Sequence, residues 1–134
     1  MSLLSTPFVS ITQGIRVSVF PKFLPEYSTP AKQHFVFSYQ VLLENQSDAA
    51  VKLLKRRWHV IDGLGENQFV EGAGVVGEQP VLAPQGAFDY TSGVQLQSQM
   101  GKMYGNYIMQ RLSDEVRFSI KIPEFILVTP DRMQ

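Results

Sequence analysis

Apolar and polar residues alternate with a period of two along most of the chain, which is typical of strands that bury one face. Ile15, Val17 and Val19 share one face of a short run. A longer run places five more apolar residues on one face: Phe35, Phe37, Tyr39, Val41 and Leu43. The pattern predicts two strands, the first ended or deflected at Pro21 because proline cannot donate to a strand ladder.

The alternation continues towards the C-terminus. The run from Val51 to Asp62 predicts a third strand, with Leu54, Trp58 and Val60 on one face. Asp62-Gly63 is a hairpin signal, and residues 67–70 are the expected return strand. Shorter runs predict further strands at residues 81–82, 88–91, 103–109 and 116–122, the last closed by Pro123 with Phe125 and Leu127 as an apolar tail.

The fold class follows from these runs. No window of useful length has the 3.6-residue period of a helix, and eight prolines and ten glycines interrupt the chain. About seven short strands separated by turns predict an all-β fold, an antiparallel β-sandwich. At 134 residues, we expect residues 1–134 to form a single domain.

Charge and composition exclude several classes of protein. Twelve Lys and Arg balance twelve Asp and Glu, so no overall field would hold a nucleic acid. The chain has no cysteine, which excludes disulfides and thiolate metal sites. The segment Met1–Pro7 lacks the charge and apolar run of a signal peptide, and no stretch is long and apolar enough to span a membrane. We therefore expect a cytoplasmic protein without membrane contact.

The zero net charge hides a division along the chain. From Trp58 through Gly101 there is no Lys or Arg, whereas the same window holds five acids: Asp62, Glu66, Glu71, Glu78 and Asp89. The rest of the chain carries twelve basic residues against seven acids, with a basic cluster in the segment Lys52–Arg57. If folding separates these parts, the protein has two faces of opposite sign.

A glycine-rich motif lies inside the acidic window. Residues 72–77 spell GAGVVG, the GxGxxG spacing that lets backbone amides approach a pyrophosphate. Pro80 and Pro84 follow closely, so the helix required by a dinucleotide-binding fold cannot start there. A backbone nest at Gly72, Gly74 and Gly77 remains an alternative for nucleotide or pyrophosphate binding. It would need cations folded in from elsewhere, such as the Lys52–Arg57 cluster or Lys102.

Other catalytic or metal-binding patterns are lacking. His34 and His59 have no zinc-site spacing, and we expect His59 to be a surface or cross-strand residue. The acids lack the spacing of a calcium loop, and no GxSxG elbow is found. We therefore predict no catalytic residue, no metal site and no cofactor, and a protein that is not an enzyme.

Several stretches together resemble the ApaG family: Phe23-Leu24-Pro25-Glu26, Leu53 to Trp58, Gly72 to Pro84, Phe88 to Gly93, Met100 to Met103, and Ile122 to Phe125. The resemblance implies a fibronectin type III-like or immunoglobulin-like sandwich in a small bacterial cytosolic protein. It implies protein binding, the role usually assigned to similar domains in some eukaryotic proteins. It also implies a link to cobalt and magnesium tolerance, and a pyrophosphate-binding role has been suggested for the glycine motif.

The sequence thus favours a small interaction module whose partner is another protein. Tyr27, Tyr90 and Tyr104 are the predicted contact residues, because tyrosine offers a large contact area at little cost in side-chain entropy. The identity of the partner and the oligomeric state stay open. Nucleotide or pyrophosphate binding by the glycine loop is the alternative function.

Overall fold

The strands, in chain order, are β1 (Phe8–Thr12), β2 (Ile15–Phe23), β3 (Phe35–Asn45), β4 (Val51–Asp62), β5 (Gln68–Ala73), β6 (Val81–Leu82), β7 (Ala87–Leu96), β8 (Met100–Arg111) and β9 (Arg117–Val128). They come from a computed structural model that describes residues 6–133. One antiparallel sheet has the order β1-β2-β3-β7, and the other has the order β5-β4-β8-β9, with β6 paired to β4. The two sheets form a sandwich, which confirms the predicted fold class.

Helical structure is limited to short 3₁₀ turns in the described part of the chain, at Pro25–Tyr27, Pro30–Lys32 and Pro130–Met133. Among residues 6–133, no helix has the length and apolar character needed to cross a bilayer. Residues 1–5 and 134 of the predicted domain 1–134 lie outside the described residues, as does most of the segment Met1–Pro7.

The predicted alternation on β3 is confirmed, because all five apolar residues of its inward face are buried. Trp58 lies at the centre of the core and is 2% exposed. Its ring packs against those of Tyr39, Tyr107 and Phe125, at centroid distances of 5.3, 6.2 and 5.8 Å. Aromatic pairs with this tilted or edge-on geometry stabilise a core beyond their buried area.

A register shift on β4 changes which of its residues face inward. On β4 the register against β8 shifts between Leu53 and Lys55, and Leu53 is buried in place of the predicted Leu54. Burial therefore moves from odd positions to the even positions of Trp58 and Val60, as an inserted bulge residue requires.

Pro123 does not close the last strand, as the sequence suggested. β9 continues through it to Val128, because β9 pairs with β8 alone among the described strands and an edge strand tolerates a missing N–H. A register shift next to Pro123 turns Phe125 and Leu127 inward after Ile122. The apolar tail is thus the second half of a strand.

Two further boundaries differ from the prediction. Pro21 does not end β2, which runs on to Phe23. β1 (Phe8–Thr12), which the sequence did not indicate, pairs with β2 at the edge of the four-stranded sheet. Nine strands are therefore present among the described residues, against about seven expected.

The two sides of the sandwich differ. On one side, β1 lies along β9, and side-chain hydrogen bonds join them: the Ser10 hydroxyl donates to the Lys121 carbonyl at 2.6 Å, and the Lys121 amide donates to the Thr12 hydroxyl at 3.1 Å. On the other side, β5 and β7 are the edge strands of the two sheets and have no other strand partner among the described residues. One side is therefore closed, and the β5–β7 side is open.

Candidate functional site

The glycine-rich motif forms the tip of a hairpin. Val75 and Glu78 exchange two backbone hydrogen bonds, of 2.8 and 2.9 Å, around a two-residue turn. The turn residues Val76 and Gly77 have φ angles of +42° and +81°, the positive values that a type I′ hairpin turn requires. Gly77 is thus explained by backbone conformation.

Gly74 is explained by the close approach of backbone atoms, and Gly72 lies against the end of the Arg56 side chain. Gly74 has a φ of +61°, and a Cβ added there would collide with the Glu78 carbonyl oxygen. A Cβ at Gly72 would lie 2.9 Å from the Arg56 guanidinium nitrogens. The amides of Gly74, Val75 and Glu78 already donate to backbone carbonyls, so they are not available to cradle an anion.

Arg56 is the cation that folding brings to this hairpin. It follows the β4 bulge and shares the inward face of Trp58, while Lys55 and Arg57 point outward. Its Nη1 donates to the carbonyls of Ala73 and Gly74, at 3.0 and 2.9 Å. The sequence treated Arg56 only as part of a basic cluster, yet its even spacing from Trp58 was a usable signal of its direction.

The outward cations share one carboxylate on strand β5. Glu71 lies 3.1 Å from Arg57 and 3.9 Å from Lys55. Arg56, on the opposite face, makes none of the ion pairs found among the described residues. The strand pairing therefore separates outer cations that share a carboxylate from an inner guanidinium that lacks one among the described residues.

Three tyrosines lie between the sheets, close enough to Arg56 for its charge to affect the pKa of their phenols. The hydroxyls of Tyr90 and Tyr107 form a short hydrogen bond. Burial raises the pKa of both phenols above its usual value, and the Arg56 charge offsets only part of this increase. Burial also raises the pKa of Tyr39, against the opposing effects of the Ser92 hydroxyl and Arg56.

The assignment of Tyr90 as a partner contact is therefore wrong. Its side chain is 7% exposed, and the alternation along β7 turns it into the core, where its hydroxyl bonds to Tyr107. The other two predicted contact tyrosines are not brought together. Tyr27 is 65% exposed in the 3₁₀ turn that follows β2, whereas Tyr104 lies on the outer face of the five-stranded sheet.

Tyr104 belongs to an aromatic ladder across three strands of that outer face. His59 stacks on Tyr104 of β8 at a centroid distance of 4.8 Å, and it contacts Phe69 of β5 at 4.9 Å. His59 is thus the cross-strand residue that the sequence indicated. Phe69, which the sequence did not single out, is 51% exposed on the free edge strand.

A groove of about 910 Å³ opens between β5 and β7. Arg56, Tyr39 and Ser92 line it, together with the apolar side chains Trp58, Val60, Val70 and Met103, and with Asp62 and Glu66. Its residues come from β3, β4, β5, β7 and β8 and from the loop after β4. No single segment of the sequence therefore carries a motif for it.

Asp62 fixes one end of this groove. Its carboxylate accepts hydrogen bonds from the amides of Gln97, at 2.7 Å, and Leu64, at 3.2 Å. Burial raises the pKa of Asp62, but these bonds, with others from Gly65 and Ser98, outweigh it and hold the pKa below its usual value. Asp62 thus ties the β4–β5 loop to the β7–β8 loop as a carboxylate.

Metal-ligating side chains do not cluster in the described residues, where no group of three or more His, Asp or Glu could hold an ion. Glu71 is occupied by Lys55 and Arg57, on the outer face of β5. Glu78 lies at the hairpin tip and Glu66 in the loop before β5.

Comparison with known proteins gives consistent matches. The family model for the ApaG domain matches residues 25–111. Protein ApaG of Bradyrhizobium sp. (strain BTAi1) is 48% identical over 122 residues, which cover 91% of this chain and 92% of that protein. Protein ApaG of Rhodospirillum centenum is 45% identical over 123 residues, 92% of this chain and 94% of that protein. The crystal structure of an ApaA protein from Bordetella pertussis has a TM-score of 0.83 at 40% identity, covering 87% of this chain and 94% of that one.

Proposed function

The chain belongs to the ApaG domain family, and we propose that it is a cytoplasmic protein-binding module and not an enzyme. One observation carries the proposal: the aromatic ladder of Phe69, His59 and Tyr104 reaches the solvent on a free edge strand. Exposed aromatic side chains on a rigid sheet are typical of the residues that dominate binding energy at protein interfaces.

The ladder is well suited to contact another protein. Cross-strand packing fixes its rings before a partner arrives, so little side-chain entropy is lost on binding. The next outward residue of β5 is Glu71, which with Arg57 gives the ladder a polar margin. An aromatic centre with a polar rim is the usual anatomy of an interface.

The proposal is tested by capture of partners from bacterial lysate with the wild-type chain and with a Phe69→Ala/Tyr104→Ala double variant. We expect the double variant to lose partners that the wild type retains reproducibly, because truncation of an interface anchor commonly weakens binding by ~2 kcal/mol or more. Ile11→Ala is the matched control, since Ile11 is 60% exposed on β1, at the other edge of the sandwich. Identical protein sets from the wild type and the double variant would refute the proposed surface.

The second candidate is nucleotide or pyrophosphate binding at Gly72, Gly74 and Gly77. The placement of the Arg56 guanidinium on the hairpin favours it, whereas the internal bonding of three hairpin amides opposes it. Titration with pyrophosphate, followed through the amide resonances of the three glycines, decides between the two. The implied link to cobalt and magnesium tolerance stays a prediction.

A further inference from the structure

The open side of the sandwich has the form of a strand-binding site. β5 and β7 present free edges on the two walls of the groove, whereas the opposite side is closed by the β1–β9 hydrogen bonds. Free edges offer unpaired backbone donors and acceptors, which an incoming strand satisfies in β-augmentation. Charged side chains and proline are the usual means of blocking an edge, yet the β5 edge exposes Phe69 and Val70, at 51% and 39%.

The groove also has a defined charge pattern. At one end lies the half-buried Arg56 guanidinium, with the hydroxyls of Tyr39 and Ser92 nearby and no carboxylate partner among the described residues. At the other end lie Asp62 and Glu66. The Asp62 charge is engaged by backbone amides, so Glu66 is the carboxylate that remains for an occupant.

The separation of these ends matches a short extended peptide. Arg56 and Asp62 are six positions apart on β4, about 20 Å at the rise of a strand. A strand of about six residues spans that distance. Between the ends, the exposed Val70 side chain offers an apolar contact for its inward side chains, above the buried Trp58 and Val60.

We propose that the β5–β7 groove binds an extended segment of a partner protein, with an Asp or Glu side chain of that segment on Arg56. The segment adds as a strand to one of the two free edges, and a basic residue about six positions from the acid pairs with Glu66. This inference rests on the proposed protein-binding function and names the partner's chemistry. Charge complementarity favours an acid at this end. Nη1 of Arg56 already donates to the Ala73 and Gly74 carbonyls, so a carboxylate would bind through two parallel hydrogen bonds from Nε and Nη2.

The experiment selects peptides of about eight residues from a random displayed library on the immobilised full chain. We expect the selected peptides to share an acidic position. Binding of synthetic copies is then measured through the fluorescence of Trp58, which lines the groove and is the single tryptophan. Replacement of the shared acid by its amide should weaken binding at least about tenfold, and this change leaves the protein untouched.

Protein variants locate the contact. Arg56→Gln should weaken binding at least about tenfold, and Arg56→Lys should restore part of it. Arg117→Gln, on the outer face of β9, should have less than about a twofold effect. Tyr39→Phe removes a hydroxyl beside Arg56 while keeping the ring packed on Trp58, and it should weaken binding less than Arg56→Gln does.

Three results would overturn the proposal: no selected peptide binds the free chain, selected peptides share no acid, or the amide-substituted peptide binds as well as its parent. Two results together would assign the site to a small anion instead. Inorganic phosphate at millimolar concentration would displace the bound peptide completely, and the selected peptides would lack apolar residues. Loss of lysate partners in Phe69→Ala/Tyr104→Ala but not in Arg56→Gln would leave the protein-binding function standing and refute the groove as its site.

Discussion

The hydroxyl pair of Tyr90 and Tyr107 allows a quantitative test of how the space between the sheets is held. The two hydroxyls bond to each other, and the side chains are 7% and 0% exposed. Removal of one hydroxyl leaves the other buried without that partner, which costs ~1–3 kcal/mol. Removal of both leaves only apolar groups of nearly the same shape, which is close to neutral.

We therefore expect Tyr90→Phe to lower the free energy of unfolding by ~1–3 kcal/mol, because it leaves the fully buried Tyr107 hydroxyl without its hydrogen-bond partner. Tyr107→Phe should cost less, since the Tyr90 side chain keeps slight exposure to solvent. The double variant should be more stable than the sum of the single changes predicts, with a coupling of ~1 kcal/mol. Strictly additive effects would refute the argument.

Urea unfolding followed by Trp58 fluorescence is the assay, because this single tryptophan is 2% exposed and packs edge-on against Tyr107. Alkaline pH gives a second readout. Burial raises the pKa of both phenols in the folded state, so their contribution is complete below the unfolded value near 10 and declines as the pH rises above it. The double variant should lose stability less steeply above pH ~10 than the wild type does.

Further predictions concern the hairpin and the groove end. Gly77→Ala should cost only ~1 kcal/mol in thermal unfolding, because φ is +81° but no atom lies within 4 Å of the added Cβ. Gly74→Ala should cost clearly more, because its Cβ also meets the Glu78 carbonyl; equal losses would contradict this account. Asp62→Asn should lower the melting temperature at neutral pH. Since hydrogen bonding lowers the folded-state pKa of Asp62, the difference in melting temperature between variant and wild type should close as the pH falls below ~4. A difference that does not change with pH would count against this role of the Asp62 carboxylate.

The fold was predictable from the sequence because its determinants are local. Burial on β3 repeats every second residue without interruption, so the alternation from Phe35 to Leu43 was sufficient to assign its inward face. Two of the errors, at Leu54 and at Pro123, fall where a bulge changes the parity of burial. A bulge depends on the partner strand, which a single segment does not reveal.

The candidate site was less predictable because it is assembled from distant segments. The glycine motif attracted the phosphate hypothesis, yet its glycines are accounted for by a turn and by close packing. Tyr90 was assigned to the surface because residue type alone does not give direction, and the four-residue run recognised there covered less than half of β7. The groove forms because β5 and β7, the edge strands of different sheets, lie close together. That proximity follows from the packing of the two sheets and is not encoded in either segment.

The pairing of β4 with β5 also changes the meaning of the zero net charge. The basic cluster and the acidic window do not form two separate faces at this point, because Glu71 pairs with Arg57 and Lys55 across neighbouring strands and offsets one of the two charges. Such exposed pairs contribute little to stability, so their main effect is to lower the net positive charge of the outer face beside the aromatic ladder. Strand alternation sends Arg56 the other way, towards tyrosine hydroxyls and a groove. A partner carboxylate there would neutralise a partly desolvated charge, and such an interaction gains more than a surface ion pair does.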